Sequence, residues 1–205
     1  MKNPLSYQYT EYDCGPTSML NAISYLFHRD DISPDVIKCI MMYCLDGYNN
    51  RGEAYKSGTT KMAMMFLSNW LNQFGKVKKW PIDTHVLHGS IVTISENSKV
   101  VECLQQGGVC VARVMLGGWH YVLLTGIDEE YVYIFDPYYR KNAFREEGIL
   151  IVKDEPTRMN RKVRHNVLDS EGKGHYALGE LDERECIILY NTKTRKTYES
   201  IEYII

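Results

Sequence analysis

Residues 7–27 read YQYTEYDCGPTSMLNAISYLF, and this stretch decides the fold prediction. Pro16 suits the first turn of a helix, because the N–H that proline lacks would have no partner there. After it, apolar residues recur with the one-face spacing of an amphipathic helix; they are Met19, Leu20, Ile23, Leu26 and Phe27. The stretch therefore predicts a helix that begins at Cys14, with the thiol at its N-terminus and not within its apolar face.

A thiol at a helix N-terminus is well placed for nucleophilic chemistry. Cysteine attacks as the thiolate, and the partial positive charge at a helix N-terminus stabilises that anion. Such a nucleophile works with an imidazole that exchanges protons, an acceptor that orients the imidazole, and donors that stabilise the oxyanion. The rest of the sequence offers one candidate for each of these three roles.

The imidazole and carboxylate candidates lie on two neighbouring predicted strands. His120 stands near the start of the run WHYVLLTGI, and Asp136 ends the run YVYIFDPYY, where a proline stops the ladder. The short connection DEE predicts a hairpin, in which the start of one strand meets the end of the next. Because His120 and Asp136 straddle a turn centred near residue 128, the sequence predicts that they are near cross-strand neighbours.

Gln8 is the candidate oxyanion donor, because it lies six residues before Cys14 and carries an amide N–H that could reach the oxyanion. Each candidate also has an ordinary structural interpretation: a small buried cysteine, a satisfied strand histidine, a turn-forming Asp-Pro, and a glutamine without a special role. Joint occurrence favours catalysis, since a thiol at a helix start accompanies a histidine and an aspartate that meet across one hairpin.

The first half of the chain otherwise reads as helical. A second helix is predicted in SPDVIKCIMMYCL, with Ser33 as N-cap, and Gly47 ends it. A third is predicted in TTKMAMMFLSNWLNQFG, capped by Thr59 or Thr60 and closed by Gly75. A short helix is predicted over residues 99–106.

The second half changes to a β pattern. The runs VCVARVML, WHYVLLTGI, YVYIFDPYY and GILIV predict strands, with connections short enough for antiparallel neighbours. The final run ECIILYNTKTRKTYESIEYII predicts a hairpin around residues 191–196. Helices followed by an antiparallel sheet indicate an α+β fold, with a cleft where the helical lobe packs on the sheet.

Composition excludes several classes of function. The chain has 205 residues, 44% of them apolar and 24% charged, and its formal net charge of −2 gives no case for nucleic acid or an anionic membrane. No run approaches the ~18 apolar residues of a membrane span, and the N-terminus lacks a signal peptide, so we expect a cytoplasmic protein. Its six cysteines are then expected to be reduced. His85 and His88 are assigned to a loop, and no metal or organic cofactor is expected.

Three motifs in this order resemble those of a known family. QYTEYDCGPT, from Gln8 to Thr17, resembles the glutamine-and-cysteine box of the peptidase C39-like group of papain-fold cysteine peptidases. GWHYVLLTGID, over residues 118–128, is similar to its histidine box, and VYIFDP, over residues 132–137, to its aspartate box. The resemblance spans roughly residues 5 to 153.

This resemblance implies a papain-like fold with Cys14 as nucleophile, His120 as base, Asp136 as the residue that orients the histidine, and Gln8 in the oxyanion hole. It implies a cysteine peptidase that acts on a peptide or protein substrate. An acyl or amide transferase with the same triad, and a peptide-binding module without turnover, remain alternatives. We predict a peptidase domain over residues 1–153 and an extension over residues 154–205 that packs on the same domain; the oligomeric state is left open.

Overall fold

The computed structural model describes residues 4–197. Helices dominate its first part: α1 (Cys14–Leu26), α2 (Pro34–Tyr43) and α3 (Lys61–Lys78). Strand β1 (Ile82–His88) and helix α4 (Lys99–Gln105) follow. The remaining elements are β2 (Val109–Met115), β3 (Trp119–Ile127), β4 (Tyr131–Phe135), β5 (Ile149–Ile151), β6 (Arg161–Arg164), α5 (His165–Leu168) and β7 (Glu185–Asn191).

The helix starts follow from capping side chains. The Ser33 side chain accepts from the backbone N–H of Asp35, and the Thr60 side chain accepts from the backbone N–H of Ala63. These bonds satisfy backbone donors that the first turn of a helix leaves without partners. The predicted N-cap at Ser33 is confirmed, and the third helix is capped by the second of the two threonines considered.

Two predicted helix ends are wrong. Helix α2 ends at Tyr43, before Gly47, and α3 continues through Gly75 to Lys78, after which Lys79 adopts a left-handed conformation with φ 56°. Gly75 serves close packing instead. A Cβ at Gly75 would lie 2.7 Å from a methyl carbon of Ile82 and 2.9 Å from the Trp80 carbonyl oxygen.

The described strands form one seven-stranded sheet in the order β1-β7-β2-β3-β4-β6-β5, and every neighbouring pair is antiparallel. The predicted α+β class is confirmed. Strand β7 lies between β1 and β2, so residues 185–191 are interior to the sheet. The division of the chain at residue 153 stays a prediction, but β6 and β7 both come from after that point.

The assignment of His85 and His88 to a loop is wrong, because both lie in β1. All seven residues of this strand pair with β7, which follows nearly 100 residues later in the chain. A strand stabilised by so distant a partner has little local signal. Strand β7 is the first arm of the hairpin predicted at the C-terminus, and residues 198–205, which would form its second arm, lie outside the described residues.

Each face of the sheet supports its own core. Helices α1, α2 and α3 pack on one face and bury Met19, Ile23, Ile40, Leu67 and Leu71. Helix α4 and the chain after β6 cover the other face and bury Val100, Cys103, Leu168, Tyr176 and Leu178. Within residues 4–197 no helix combines the length and apolar character required to cross a bilayer.

Candidate active site

Helix α1 begins at Cys14, as predicted, and places this thiol at the junction of the helical layer and the sheet. The Cys14 side chain is only 7% exposed. One turn further along, the Ser18 hydroxyl donates a 3.0 Å hydrogen bond to the backbone carbonyl of Tyr121 on β3. This buried bond fixes the N-terminal end of α1 against the strand that carries His120.

Gly15 allows the loop before α3 to pack against the first turn of α1. A Cβ added at Gly15 would lie 2.0 Å from the Thr59 hydroxyl oxygen and 2.6 Å from the Thr59 Cβ. Threonine is branched at Cβ and cannot move both atoms away by changing one rotamer. The glycine that follows Cys14 is therefore a packing requirement of the site.

We expect Gly15→Ala to destabilise the protein by about 1–3 kcal/mol, because overpacking forces the α1 turn and the Thr59 loop apart. Urea unfolding monitored by circular dichroism measures this change. Gly118→Ala is the matched control, since a Cβ at Gly118 meets nothing within 4 Å. Equal stability of the two variants would contradict the packing role of Gly15.

His120 and Asp136 meet as the hairpin argument predicts. The His120 Nε2 and Asp136 Oδ1 atoms are 2.7 Å apart, and both side chains are buried. Strands β3 and β4 pair Leu123 with Phe135, and a register shift separates Leu124 from Gly126. This register places His120 and Asp136 diagonally across the hairpin and not directly opposite, which long side chains can span.

The His120 imidazole lies between the carboxylate and the thiol. Burial by itself lowers the pKa of His120, but hydrogen bonds to Asp136 and Cys14 and their negative charges outweigh it and raise the pKa to about 9. Because Asp136 occupies Nε2, Nδ1 is the ring nitrogen left for Cys14. The site therefore favours an imidazolium between two acidic groups at neutral pH.

Gln8 is tied to the same region through its backbone. Its N–H donates to the Pro137 carbonyl at 2.9 Å, beside Asp136. Its side-chain Nε2 donates to the Thr10 carbonyl at 2.8 Å, and its Oε1 is buried without a hydrogen-bond partner among the described residues. An amide nitrogen carries two hydrogens, so one donor remains after the Thr10 bond. Its role as oxyanion donor stays a prediction.

Three residues that sequence reasoning missed surround Asp136, and all come from the chain after residue 153. Asn160 clamps the Asp136 backbone: its Oδ1 accepts from the Asp136 N–H at 2.7 Å and its Nδ2 donates to the Asp136 carbonyl at 2.8 Å. The Tyr176 hydroxyl donates to Asp136 Oδ2 at 2.6 Å, and Arg161 Nε donates to the Tyr176 hydroxyl at 3.1 Å. No sequence motif was assigned to the part of the chain that holds these residues, and β6, which begins at Arg161, was not predicted, so the sequence held no local signal for them.

A buried acid from β7 lies on the sheet side of the junction. The Tyr121 hydroxyl donates to Glu185 Oε1, and Lys61 and Arg113 approach the same carboxylate at 3.7 and 3.9 Å. Burial, followed by the charge of Glu185, raises the pKa of the Tyr121 phenol, and the Cys14 charge contributes in the same direction. Strand β7 therefore places a buried carboxyl group against Tyr121, whose electrostatic surroundings also include Cys14.

These features define a class of protein. A helical layer that precedes an antiparallel sheet, with a thiol at a helix N-terminus facing an imidazole on the sheet, is the fold of papain-like cysteine peptidases. The chain belongs to the Peptidase C39 like family, whose model matches residues 2–150. No curated protein matches the chain.

Among solved structures, the chain is similar to a double glycine motif protease from an AMS/PCAT transporter in complex with the leader peptide. The identity is 13%, with coverage of 92% of this chain and 91% of that chain and a TM-score of 0.43. The chain is also similar to the peptidase domain of Streptococcus mutans ComA, with 14% identity, coverage of 91% of this chain and 98% of that chain, and a TM-score of 0.42. For the peptidase domain of Streptococcus ComA, a bi-functional ABC transporter involved in a quorum-sensing pathway, the identity is 16%, the coverage is 91% of this chain and 97% of that chain, and the TM-score is 0.43.

Proposed function

We propose that this chain is a cysteine peptidase that cleaves a peptide bond through an acyl-enzyme on Cys14. The strongest support is a hydrogen-bonded relay of three side chains: a thiol at a helix N-terminus contacts an imidazole, and the Nε2 atom of this imidazole is held by a buried carboxylate. The family to which the chain belongs supports the same class of reaction. The substrate would be a peptide or a protein.

The reaction begins with the Cys14 thiolate and the His120 imidazolium. The sulfur attacks the carbonyl carbon, and the carbonyl π electrons move onto oxygen to form a tetrahedral oxyanion. Collapse of this intermediate breaks the C–N bond, and His120 gives its proton to the leaving amine. Neutral His120 then removes a proton from water, which attacks the thioester and releases the acid. Asp136 keeps the imidazole oriented through both halves.

The oxyanion would be stabilised by the Cys14 backbone N–H and by Gln8. The first residue of a helix has a backbone N–H without an intrahelical partner. The Asp13 side chain makes no capping hydrogen bond; its two oxygens accept from the Thr10 N–H and hydroxyl instead. The N–H groups at the start of α1 are therefore not capped by Asp13 and remain for developing negative charge.

The pH dependence of Cys14 alkylation tests the thiol–imidazole pair without a known substrate. At pH 6 a free thiol with a pKa near ~8.5 is almost entirely protonated. Because the pKa of His120 is raised to about 9, an imidazolium faces Cys14 at pH 6. We expect iodoacetamide to modify Cys14 readily at pH 6, and at least ~10-fold more slowly in His120→Ala.

Cys39 provides an internal control, because mass spectrometry of digested protein measures each cysteine separately. Cys39 is 8% exposed, close to the 7% of Cys14, and burial raises its pKa. We expect Cys39 to react slowly at pH 6 in both proteins. Identical pH profiles of Cys14 alkylation in the parent and in His120→Ala would contradict the proposed function.

The two alternative functions give other results. Labelling of Cys14 no faster than that of Cys39 would favour a binding module, whereas acyl release that is accelerated by an added amine would favour a transferase.

A further inference from the structure

The second oxygen of Asp136 has a partner that neither the sequence motifs nor the family match covers. Asp136 is 1% exposed, and its Oδ1 accepts from His120 Nε2 and from the Tyr138 backbone N–H at 2.8 Å. Its Oδ2 accepts from the Tyr176 hydroxyl. Within residues 4–197 no other hydrogen bond reaches Oδ2, and Tyr176 lies beyond the end of the family match at residue 150.

Arg161 fixes the direction of the Tyr176 hydroxyl. A guanidinium can only donate, so the hydroxyl accepts from Arg161 Nε and its single hydrogen points to Asp136. Arg161 is itself buried and held by the Asn160 carbonyl at 2.7 Å. Burial, followed by the charge of Asp136, raises the pKa of Tyr176 well above its ordinary value, so the phenol keeps its hydrogen across the working pH range.

The backbone holds Tyr176 in a defined place. Its side chain is fully buried, and its φ of 66° lies in the left-handed region, which a residue with a bulky side chain rarely adopts. Its N–H donates to the Met115 carbonyl at 2.7 Å, and the Met115 N–H donates to the Ala177 carbonyl at 2.8 Å. Such a strained conformation persists only where surrounding contacts determine it, which is common at functional sites.

We propose that Tyr176 is a positioning residue of this site: its hydroxyl, directed by Arg161, holds the Asp136 carboxylate against His120. The hydrogen-bonded relay Cys14–His120–Asp136 then extends to Tyr176, which lies beyond the family match. The catalytic consequence rests on the proposed function, whereas the effect on His120 does not. Without the hydroxyl, Oδ2 would be a buried carboxylate oxygen without a donor.

The hydroxyl should lower the pKa of His120, and this sign separates positioning from packing. Asp136 has two neighbours, the Tyr176 hydroxyl at Oδ2 and His120 at Oδ1, and the hydroxyl stabilises the carboxylate most when His120 carries no charge. If the hydroxyl is removed, the carboxylate relies more on a positive charge at His120. The pKa of His120 should therefore rise above about 9. A residue that only fills space would act differently: its loss would loosen the His120–Asp136 bond and lower the pKa toward the ordinary value.

Within residues 4–197, charged groups face this hydrogen-bonded relay from three elements. Cys14 faces His120 from α1, and Arg161 faces Tyr176 from β6. Glu185 of β7 lies near Cys14 through Tyr121. His175 is adjacent to Tyr176 in sequence, but its Nδ1 contacts Glu146 and its ring lies against Phe144. These neighbours are unchanged in a Tyr176→Phe variant, which removes one oxygen atom and keeps the ring.

The experiment is an NMR titration of His120 in the full chain, assigned by comparison with His120→Ala. We expect Tyr176→Phe to raise the His120 midpoint by about one pH unit, a tenfold change in the protonation equilibrium. Tyr133→Phe is the matched control, because it removes a hydroxyl that donates to the Asp128 carboxylate at 2.6 Å on the exposed surface. This control should keep the parent midpoint. In an Asp136→Asn background, Tyr176→Phe should have no further effect.

An unchanged midpoint in Tyr176→Phe, or one that falls toward 6.5, would overturn the proposal. If this variant does not fold, the parent protein provides the test. The NMR chemical shift of the Tyr176 ring carbon that bears the oxygen should change with pH at the same midpoint as His120, and a chemical shift that does not change with pH would also overturn the proposal. Failure of the proposed function gives a different result, namely Cys14 alkylation that does not depend on His120. The two failures are therefore distinguishable.

Discussion

Cys14→Ala is expected to reduce peptide cleavage to the uncatalysed background, because no acyl-enzyme can form without the sulfur. A mixture of fluorescence-quenched peptides of random sequence provides the assay. Cys39→Ala is the matched control, since it removes another buried cysteine of the helical layer. We expect this control to retain activity. Cleavage by Cys14→Ala at the parental rate would show that the reaction does not pass through this thiol.

The other site residues should follow in a defined order. His120→Ala should cost at least ~10³-fold, because proton transfer in both half-reactions and stabilisation of the thiolate are lost together. Gln8→Ala should cost on the order of 10²-fold if it supplies an oxyanion donor. Asp136→Asn should cost less than the loss of either Cys14 or His120, because an amide oxygen can still accept from the imidazole and a thiolate–imidazolium pair depends less on a third charge than an alkoxide mechanism does.

The surroundings of Asp136 explain why asparagine there is tolerated only in part. Oδ1 would keep its bonds with His120 and with the Tyr138 N–H. The new Nδ2 would face the Tyr176 hydroxyl, which would have to accept from both Nδ2 and Arg161 and would lose the acceptor for its own hydrogen. A smaller loss in His120→Ala than in Asp136→Asn would contradict the assigned roles.

The sequence predicted those parts of the site that depend on short-range order. Helix α1 follows from Pro16 and a regular apolar spacing, so its first residue could be placed at Cys14. The β3–β4 hairpin has a three-residue connection, and this alone brings His120 close to Asp136. In both cases the decisive interactions lie within about 20 residues along the chain, where periodicity and turn chemistry are informative.

The parts that could not be predicted depend on distant partners. Strand β1 pairs along its whole length with β7, which follows nearly 100 residues later, and its two histidines were assigned to a loop because this partner is not visible in the local sequence. Tyr176 contacts Asp136 across 40 residues, and Arg161 becomes part of the site only through Tyr176. Glycine is typical of helix ends, so Gly75 was predicted to end α3, but its lack of a side chain instead allows close packing with Trp80 and Ile82. No local pattern distinguishes these roles from ordinary turns and surface residues.

Removing residues 185–205 is expected to abolish folding, because these residues contain a strand that both cores require. Strand β7 pairs with β1 on one side and β2 on the other, and β1 has no other strand partner among the described residues. Ile187 and Leu189 pack in the helical-layer core, and Ile188 packs in the core on the other face. Burial of three such side chains contributes about 5–9 kcal/mol. A domain with a typical stability of about 5–15 kcal/mol cannot lose that contribution together with two strand pairings and remain folded.

Size-exclusion chromatography and urea unfolding measure the outcome, and a shorter truncation that ends at Thr197 is the matched control because it retains all seven strands of the described part of the chain. We expect the longer truncation to aggregate through the exposed edges of β1 and β2 and to show no cooperative transition. Unfolding would also separate Cys14 from His120, so Cys14 should lose its selective reactivity. A monomer with the parental unfolding midpoint would instead make residues 185–205 a dispensable appendage, and a partner-binding role for them would then be the better hypothesis.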